Sequence, residues 1–173
     1  LPLAARQEGV EIPRRRLLVL PVAARHAGAG DPDLPLGSRR PLGPGILSLD
    51  SRAGEVVDGW AKGSVFAESL ALTGQVPHAS APSAMLAWLK KHDPERFSQI
   101  GHIVGCKDWL RFCLTGTVGT DLTEASTSFT DVRTQAYAPE AMRIFGLEEL
   151  FAALPGVAHS ADIVGYATAE AAA

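Results

Sequence analysis

The sequence is poor in the residues that announce a chemistry by themselves. Only two cysteines occur among 173 residues, Cys106 and Cys113. That count excludes the disulfide framework of small secreted domains. One pair seven residues apart is no zinc signature either, so the expectation is two buried, reduced thiols and no metal centre. The five histidines, His26, His78, His92, His102 and His159, are scattered, and none is paired at helical ligand spacing. No apolar run approaches the roughly 20 residues needed to cross a bilayer as a helix. Charge of neither sign dominates: 16 basic and 19 acidic side chains leave a net −3. Such a balance exerts no general pull toward nucleic acid or an anionic membrane. Aromatic residues are few, at 6%, and none interleaves the one basic cluster, Arg14-Arg15-Arg16, as a nucleic-acid patch requires.

What is present is an ordinary globular composition, 46% hydrophobic and 20% charged. The length suits one domain with its own core. Residues 1–42 stand apart from the rest. They are rich in Arg, Pro, Ala and Gly and show neither helical nor strand periodicity. "RRRLLVLPVAARHA" superficially resembles a secretion signal, but it begins inside the chain and Pro21 interrupts its short apolar core. Residues 1–42 are read as a poorly ordered leader, of the kind a reading-frame change upstream would produce.

From Gly43 the pattern becomes orderly. "GILSLD" (45–50) suits a buried strand ending in Asp50. Ala53, Val56, Val57 and Trp60 then repeat at helical spacing. A loop, "LTGQVPHASAP", leads to a helix with Pro82 in its first turn and Met85, Leu86 and Leu89 on one face. Asp93-Pro94-Glu95 caps a short third helix, and "HIVG" (102–105) is a strand. The next helix begins near Asp108, buries Trp109, Leu110, Phe112 and Cys113, and stops at Gly116. Pro139 and Gly146 bracket another helix. "DIVGYAT" (162–168) reads as a final strand, and Thr168 caps a helix just beginning in "TAEAAA". Strands interspersed with more numerous helices make the class α/β.

Four of these stretches, taken in order, resemble the N-terminal domain of the FGGY carbohydrate kinases. "GILSLDSRAGEVVDGW" is similar to the family's strand ending in D-x-R with its following helix. "TGQVPHASAPSAMLAWLKKHDPERF" is similar to the loop and helix in which Trp-Leu precedes a Pro-Glu turn. "GCKDWLRFCLTGTVGTDLTEASTS" is similar to the K-D-[YW]-L…L-T-G…T-D…A-S block. "LPGVAHSADIVGYATAEAA" is similar to the L-P-x-V…G-x-[VI]-T-x-E-A-A segment. The resemblance covers residues 43–173 and is closest to kinases of L-xylulose, xylulose, erythritol and related polyols.

That resemblance implies an incomplete N-terminal half of an actin-like, ribonuclease-H-like ATPase fold, with a mixed sheet flanked by helices. It implies an ATP-dependent kinase of a pentulose or polyol, cytoplasmic, with Mg2+ serving the complete enzyme and neither group bound well by this stretch. Asp50 and Arg52 fall where a carboxylate and a guanidinium would meet sugar hydroxyls, or would bridge to each other instead. Ser48 occupies the position at which glycerol kinases carry a substrate-lining Trp, which implies a wider or more polar pocket. Ser80 falls where some members carry a substrate-contacting Tyr, with His78 two residues earlier. Asp121, Thr123 and Ser126 belong to a polar segment at the edge of the interdomain cleft, with a structural role expected. No catalytic residue is expected in this chain. The family's D-x-G-T phosphate turn is missing from it, its general base belongs to a later block, and a C-terminal kinase domain is the expected partner. The alternative is a non-catalytic sugar-binding or interaction module that keeps the half-fold.

Overall fold

Helix boundaries in this chain follow local capping chemistry. A computed structural model describes residues 41–172 and the strand residues 16–19. The strand, β1 (Arg16–Val19), lies in the expected leader. The rest of that reading, residues 1–15 and 20–40, lies outside the described residues.

Helix α1 (Gly54–Trp60) is the helix expected after Asp50, with Ala53 fully buried at its start and Val57 and Trp60 packed on the core. A second helix, α2 (Val65–Thr73), ends on left-handed Gly74, a conformation that glycine adopts without a Cβ penalty. Pro82 opens α3 (Pro82–His92), where it removes an N–H that would be unbonded anyway. Met85, Leu86 and Leu89 each remain at most 1% exposed. In α4 (Pro94–Ser98) the Asp93 carboxylate accepts the Arg96 N–H at 3.0 Å. Strand β2 (Ile100–Val104) follows, and then α5 (Cys106–Thr115), closed by left-handed Gly116.

The remaining elements are short: β3 (Thr120–Asp121), α6 (Leu122–Ala125), β4 (Thr130–Asp131), β5 (Ala136–Tyr137) and α7 (Pro139–Ile144). A 3-10 turn at Glu148–Ala153, β6 (Val157–Ala158) and α8 (Ala169–Ala172) complete them. Strands β1 and β2 pair in parallel, as do β3 and β6, whereas β4 and β5 are antiparallel. The core joins α3, α4, β2 and α7 to the 3-10 turn through Leu86, Phe97, Ile103, Met142, Leu147 and Leu150. An aromatic seam, Trp60 on Phe145 (5.1 Å) and Phe145 against Phe129 (6.2 Å), ties α1 into it.

Three expectations need correction. "GILSLD" is not a strand: Ile46 is buried, but the chain then turns, with the Asp50 N–H donating to the Leu47 carbonyl at 3.0 Å. No described strand lies beside it, and an extended segment without a ladder leaves its backbone groups unpaired. "DIVGYAT" is likewise no strand. Ile163 and Tyr166 are 78% and 80% exposed, and the segment is tied to α5 through the Thr168 N–H and the Leu114 carbonyl, 2.9 Å. The buried face of α5 is Asp108 and Phe112, with Trp109 half-buried, while Leu110 and Cys113 are exposed and Cys106 is half-buried. An acidic residue lies inward because three N–H groups surround it, as the site geometry makes plain. Thr168 does cap α8, accepting the Ala171 N–H at 3.2 Å.

Candidate functional site

The turn at 47–50 presents Asp50, and two residues later Arg52 folds back onto it. The Asp50 carboxylate accepts the Arg52 backbone N–H at 3.0 Å and the guanidinium Nε at 2.9 and 2.8 Å, with Nη2 at 2.7 Å. The Arg52 side-chain hydrogen bond is the main reason the Asp50 carboxyl lies below its ordinary range, and the Arg52 guanidinium is raised in return. The two residues therefore bridge to each other, yet neither is entombed: their side chains are 16% and 44% exposed. Ser48 is exposed in the same turn.

Arg52 also stands over α3, with its Cζ 5.0 Å from the Trp88 ring. Trp88 stacks on His92, four residues further along the helix, at 4.8 Å and 21°. His92 Nε2 hydrogen-bonds Glu55 of α1, and Lys91 meets the same carboxylate at 3.1 Å. His92 first, and Lys91 second, hold Glu55 below the usual carboxylate range.

The loop that enters α3 brings His78 and Ser80 together, Nδ1 and Oγ lying 3.0 Å apart. His78 is exposed and Ser80 half-buried. This pair sits at the N-terminal entry to α3, whereas Trp88 and Arg52 lie along its second half. The structure thus joins the predicted residues as two local pairs on one helix.

The polar segment after Gly116 meets α3 at that same N-terminal end. Ser128 Oγ accepts the Ser83 N–H at 3.4 Å, and the two buried hydroxyls lie 3.4 Å apart. Asp121 caps α6 through the Glu124 N–H at 3.0 Å. Ser126 Oγ donates to the Thr123 carbonyl at 2.8 Å, and Thr123 Oγ1 meets Ser160 at 3.2 Å. These are structural roles, as expected for that segment.

Sequence reasoning missed how closely the acids of this block converge. Asp108, 2% exposed, faces Lys107 Nζ at 2.7 Å, the Gly105 N–H at 3.4 Å and Arg111 Nη2 at 3.8 Å. Lys107 reaches on to Asp121 at 3.0 Å. Beside them opens a cleft of about 40 Å³, lined by Pro82, Gly105, Asp108, Thr120, Glu124 and Tyr137 among others. Thr120 is 2% exposed, and its hydroxyl has no hydrogen-bond partner among the described residues. Burial pushes the Glu124 carboxyl up, Lys107 pulls it down, and Asp108 and Asp121 push it up again, for a net rise. Burial, then Asp108 and Glu124, carry the Tyr137 phenol above its ordinary range. The legible signal was the run K-D…T-D…E, whose acids recur on the first turns of two successive helices.

Among the described residues no group of three His, Cys, Asp or Glu side chains could hold a metal ion. No helix among them is long and apolar enough to cross a membrane.

Known proteins match this chain closely. The profile described as "FGGY family of carbohydrate kinases, N-terminal domain" matches residues 37–173. The chain is 39% identical over 135 residues to "L-xylulose/3-keto-L-gulonate kinase" of Escherichia coli (strain K12), covering 78% of this chain and 27% of that protein. It is 30% identical over 171 residues to "Erythritol kinase" of Brucella abortus (strain 2308), covering 98% of this chain and 32% of that one. Among solved structures, the xylulose kinase from Rhodospirillum rubrum superposes with a TM-score of 0.68 at 26% identity, over 76% of this chain and 27% of the other. The chain thus spans about a third or less of the length of each. The expected α/β, actin-like fold is the one it shares with these sugar kinases.

Proposed function

The chain belongs to the FGGY family of carbohydrate kinases, and on that footing we propose that it is part of an ATP-dependent kinase acting on a hydroxyl of a pentulose or polyol. In this reading it carries one portion of the sugar site and none of the catalytic base. The observation that carries the proposal is the family match over residues 37–173, joined to relatives whose names specify L-xylulose and erythritol.

The geometry supports a role in holding the sugar. A buried sugar hydroxyl left unpaired weakens binding, so such sites gather convergent polar side chains. Asp50 has occupied part of the Arg52 fork, through Nε and Nη2, which leaves further N–H donors of the five on a guanidinium. His78 and Ser80 add a ring nitrogen and a hydroxyl, and exposed Ser48 adds another hydroxyl beside Asp50. In the complete enzyme ATP and Mg2+ supply the phosphoryl group and its charge neutralisation. Residues of this chain bind and orient the acceptor. The C-terminal kinase domain is the proposed partner, and neither nucleic acid nor membrane is proposed as one.

Titration of the isotopically labelled chain with L-xylulose, D-xylulose and erythritol tests the reading by nuclear magnetic resonance. Shifts are expected at the amides of Ser48, Asp50, Arg52, His78 and Ser80, with no ATP-dependent phosphorylation in a coupled assay. Shifts confined to other surfaces would refute the proposed sugar contacts. Phosphorylation of a pentulose by the purified chain would refute the absence of a catalytic base. Saturable binding by a stable monomer that still yields no phosphorylation when the C-terminal kinase domain is supplied favours the alternative of a non-catalytic binding module.

A further inference from the structure

We propose that Trp88 is a positioning residue for Arg52, holding the guanidinium in the attitude from which it meets the sugar; this rests on the reading of Asp50 and Arg52 as sugar contacts. The Asp50–Arg52 bridge is made within a span of two residues. It therefore fixes the guanidinium relative to its own turn, and that turn is part of no sheet. Something else must relate the pair to the body of the protein.

Trp88 provides that reference. Its helix α3 is anchored by Met85, Leu86 and Leu89, all essentially inaccessible to solvent. The Arg52 Cζ lies 5.0 Å from the Trp88 ring, within the range of a cation–π contact. The ring is itself restrained by the stack on His92. His92 and Lys91 both engage Glu55 on α1, a helix that starts at Gly54, two residues after Arg52. The contacts close a circuit from Arg52 through Trp88, His92 and Glu55 back to the chain beside Arg52.

The consequence for recognition is geometric. A guanidinium resting on an aromatic face keeps the N–H donors of its rim available, because they radiate within its own plane. Asp50 occupies one edge of that plane. The remaining edge can serve adjacent oxygens of a polyol, provided the plane does not swing. Arg52 is 44% exposed, so without the ring the bridged Asp50–Arg52 pair would be held only by its own turn, and its plane would be free to tilt away from that alignment.

The test uses the full 173-residue chain and reads Arg52 directly, through exchange of its Nε–H with water. Trp88→Leu retains apolar bulk without a π face and is expected to speed that exchange about two- to five-fold. Trp88→Phe is expected to restore it to near the wild-type rate. The L-xylulose or erythritol dissociation constant should rise by a similar factor in Trp88→Leu and recover in Trp88→Phe, with amides of β4 and β5 unshifted. Unchanged Arg52 exchange in Trp88→Leu would overturn the inference. If that variant does not fold, His92→Ala, which removes the stack under the ring, must raise the exchange by a smaller factor or the inference is likewise overturned. Should the wild-type chain bind neither sugar, or Arg52→Ala and Asp50→Ala bind as wild type, the sugar-contact reading fails, while the exchange rates still decide what Trp88 does.

Discussion

Lys107 holds two carboxylates at once, Asp108 at 2.7 Å and Asp121 at 3.0 Å. Desolvation lowers its ammonium, but hydrogen bonds to both acids outweigh that and leave it raised. Lys107→Met would strip Asp108 of its closest cation inside the protein. A buried charge left short of a partner costs several kcal/mol; with the Gly105 N–H and Arg111 remaining, about 2 kcal/mol is expected in urea denaturation. Two neighbours respond to pH with opposite sign. Burial works to raise the Asp121 carboxyl, but the Glu124 N–H and Lys107 hold it below its ordinary value. Its stabilising contribution is therefore complete above about pH 4 and is lost as pH falls through the lowered folded value. Glu124 is raised, so its contribution is complete below the ordinary glutamate value of about 4.3 and declines as pH rises through the folded one. Glu124→Gln should accordingly remove that decline and gain a few tenths of a kcal/mol at pH 7, discounted for partial exposure. Denaturation midpoints from pH 3 to 8 check both signs, and a loss of stability at pH 7 in Glu124→Gln would contradict the assignment.

At the scale of elements, helices were far more legible than strands. Pro82, Pro94 and Pro139 each stand at a helix start, and Gly116 ends a helix with φ of 69°. These signals act within one turn of chain, so tertiary context has little power to move them. The apolar face of α3 was legible for the same reason, because i, i+1 and i+4 share one side. Leu86, wholly inaccessible in that face, is expected to cost 2–5 kcal/mol on Leu86→Ala, measurable as a fall in the denaturation midpoint at unchanged slope. The short elements failed differently. "GILSLD" and "DIVGYAT" have strand-like composition, but a strand exists only where another backbone pairs with it. The face of α5 was misjudged because the pattern counted Leu110 and Cys113 as inward, whereas the partners of Asp108 turned the acid inward.

For the whole molecule, the apolar side chains left at the surface matter most. Leu110, Leu114, Ile163 and Tyr166 are 57%, 51%, 78% and 80% exposed, and the Thr168–Leu114 hydrogen bond joins the segment carrying the last two to the helix carrying the first two. The double variant Ile163→Ser, Tyr166→Ser should leave the unfolding free energy within about 0.5 kcal/mol, since neither side chain is packed. Sedimentation should show less self-association than wild type, because less apolar surface meets water. A marked loss of stability would mean that these residues are covered in solution.

The sequence alone determined the starts of α3, α4 and α7 and the end of α5, the inward side of α3, the α/β class and, through four ordered blocks, the resemblance to carbohydrate kinases that became membership once the family match was found, while α2 and α6 went unread. All of these depend on neighbours within a few residues or on motif order. Only the tertiary structure decided that Asp50 and Arg52 bridge to each other, that Trp88 lies against Arg52 with His92 stacked on its ring, and that Lys107 spans two acids thirteen positions apart in the chain. Those relations depend on which surfaces meet when the core closes, and a local pattern carries no record of that.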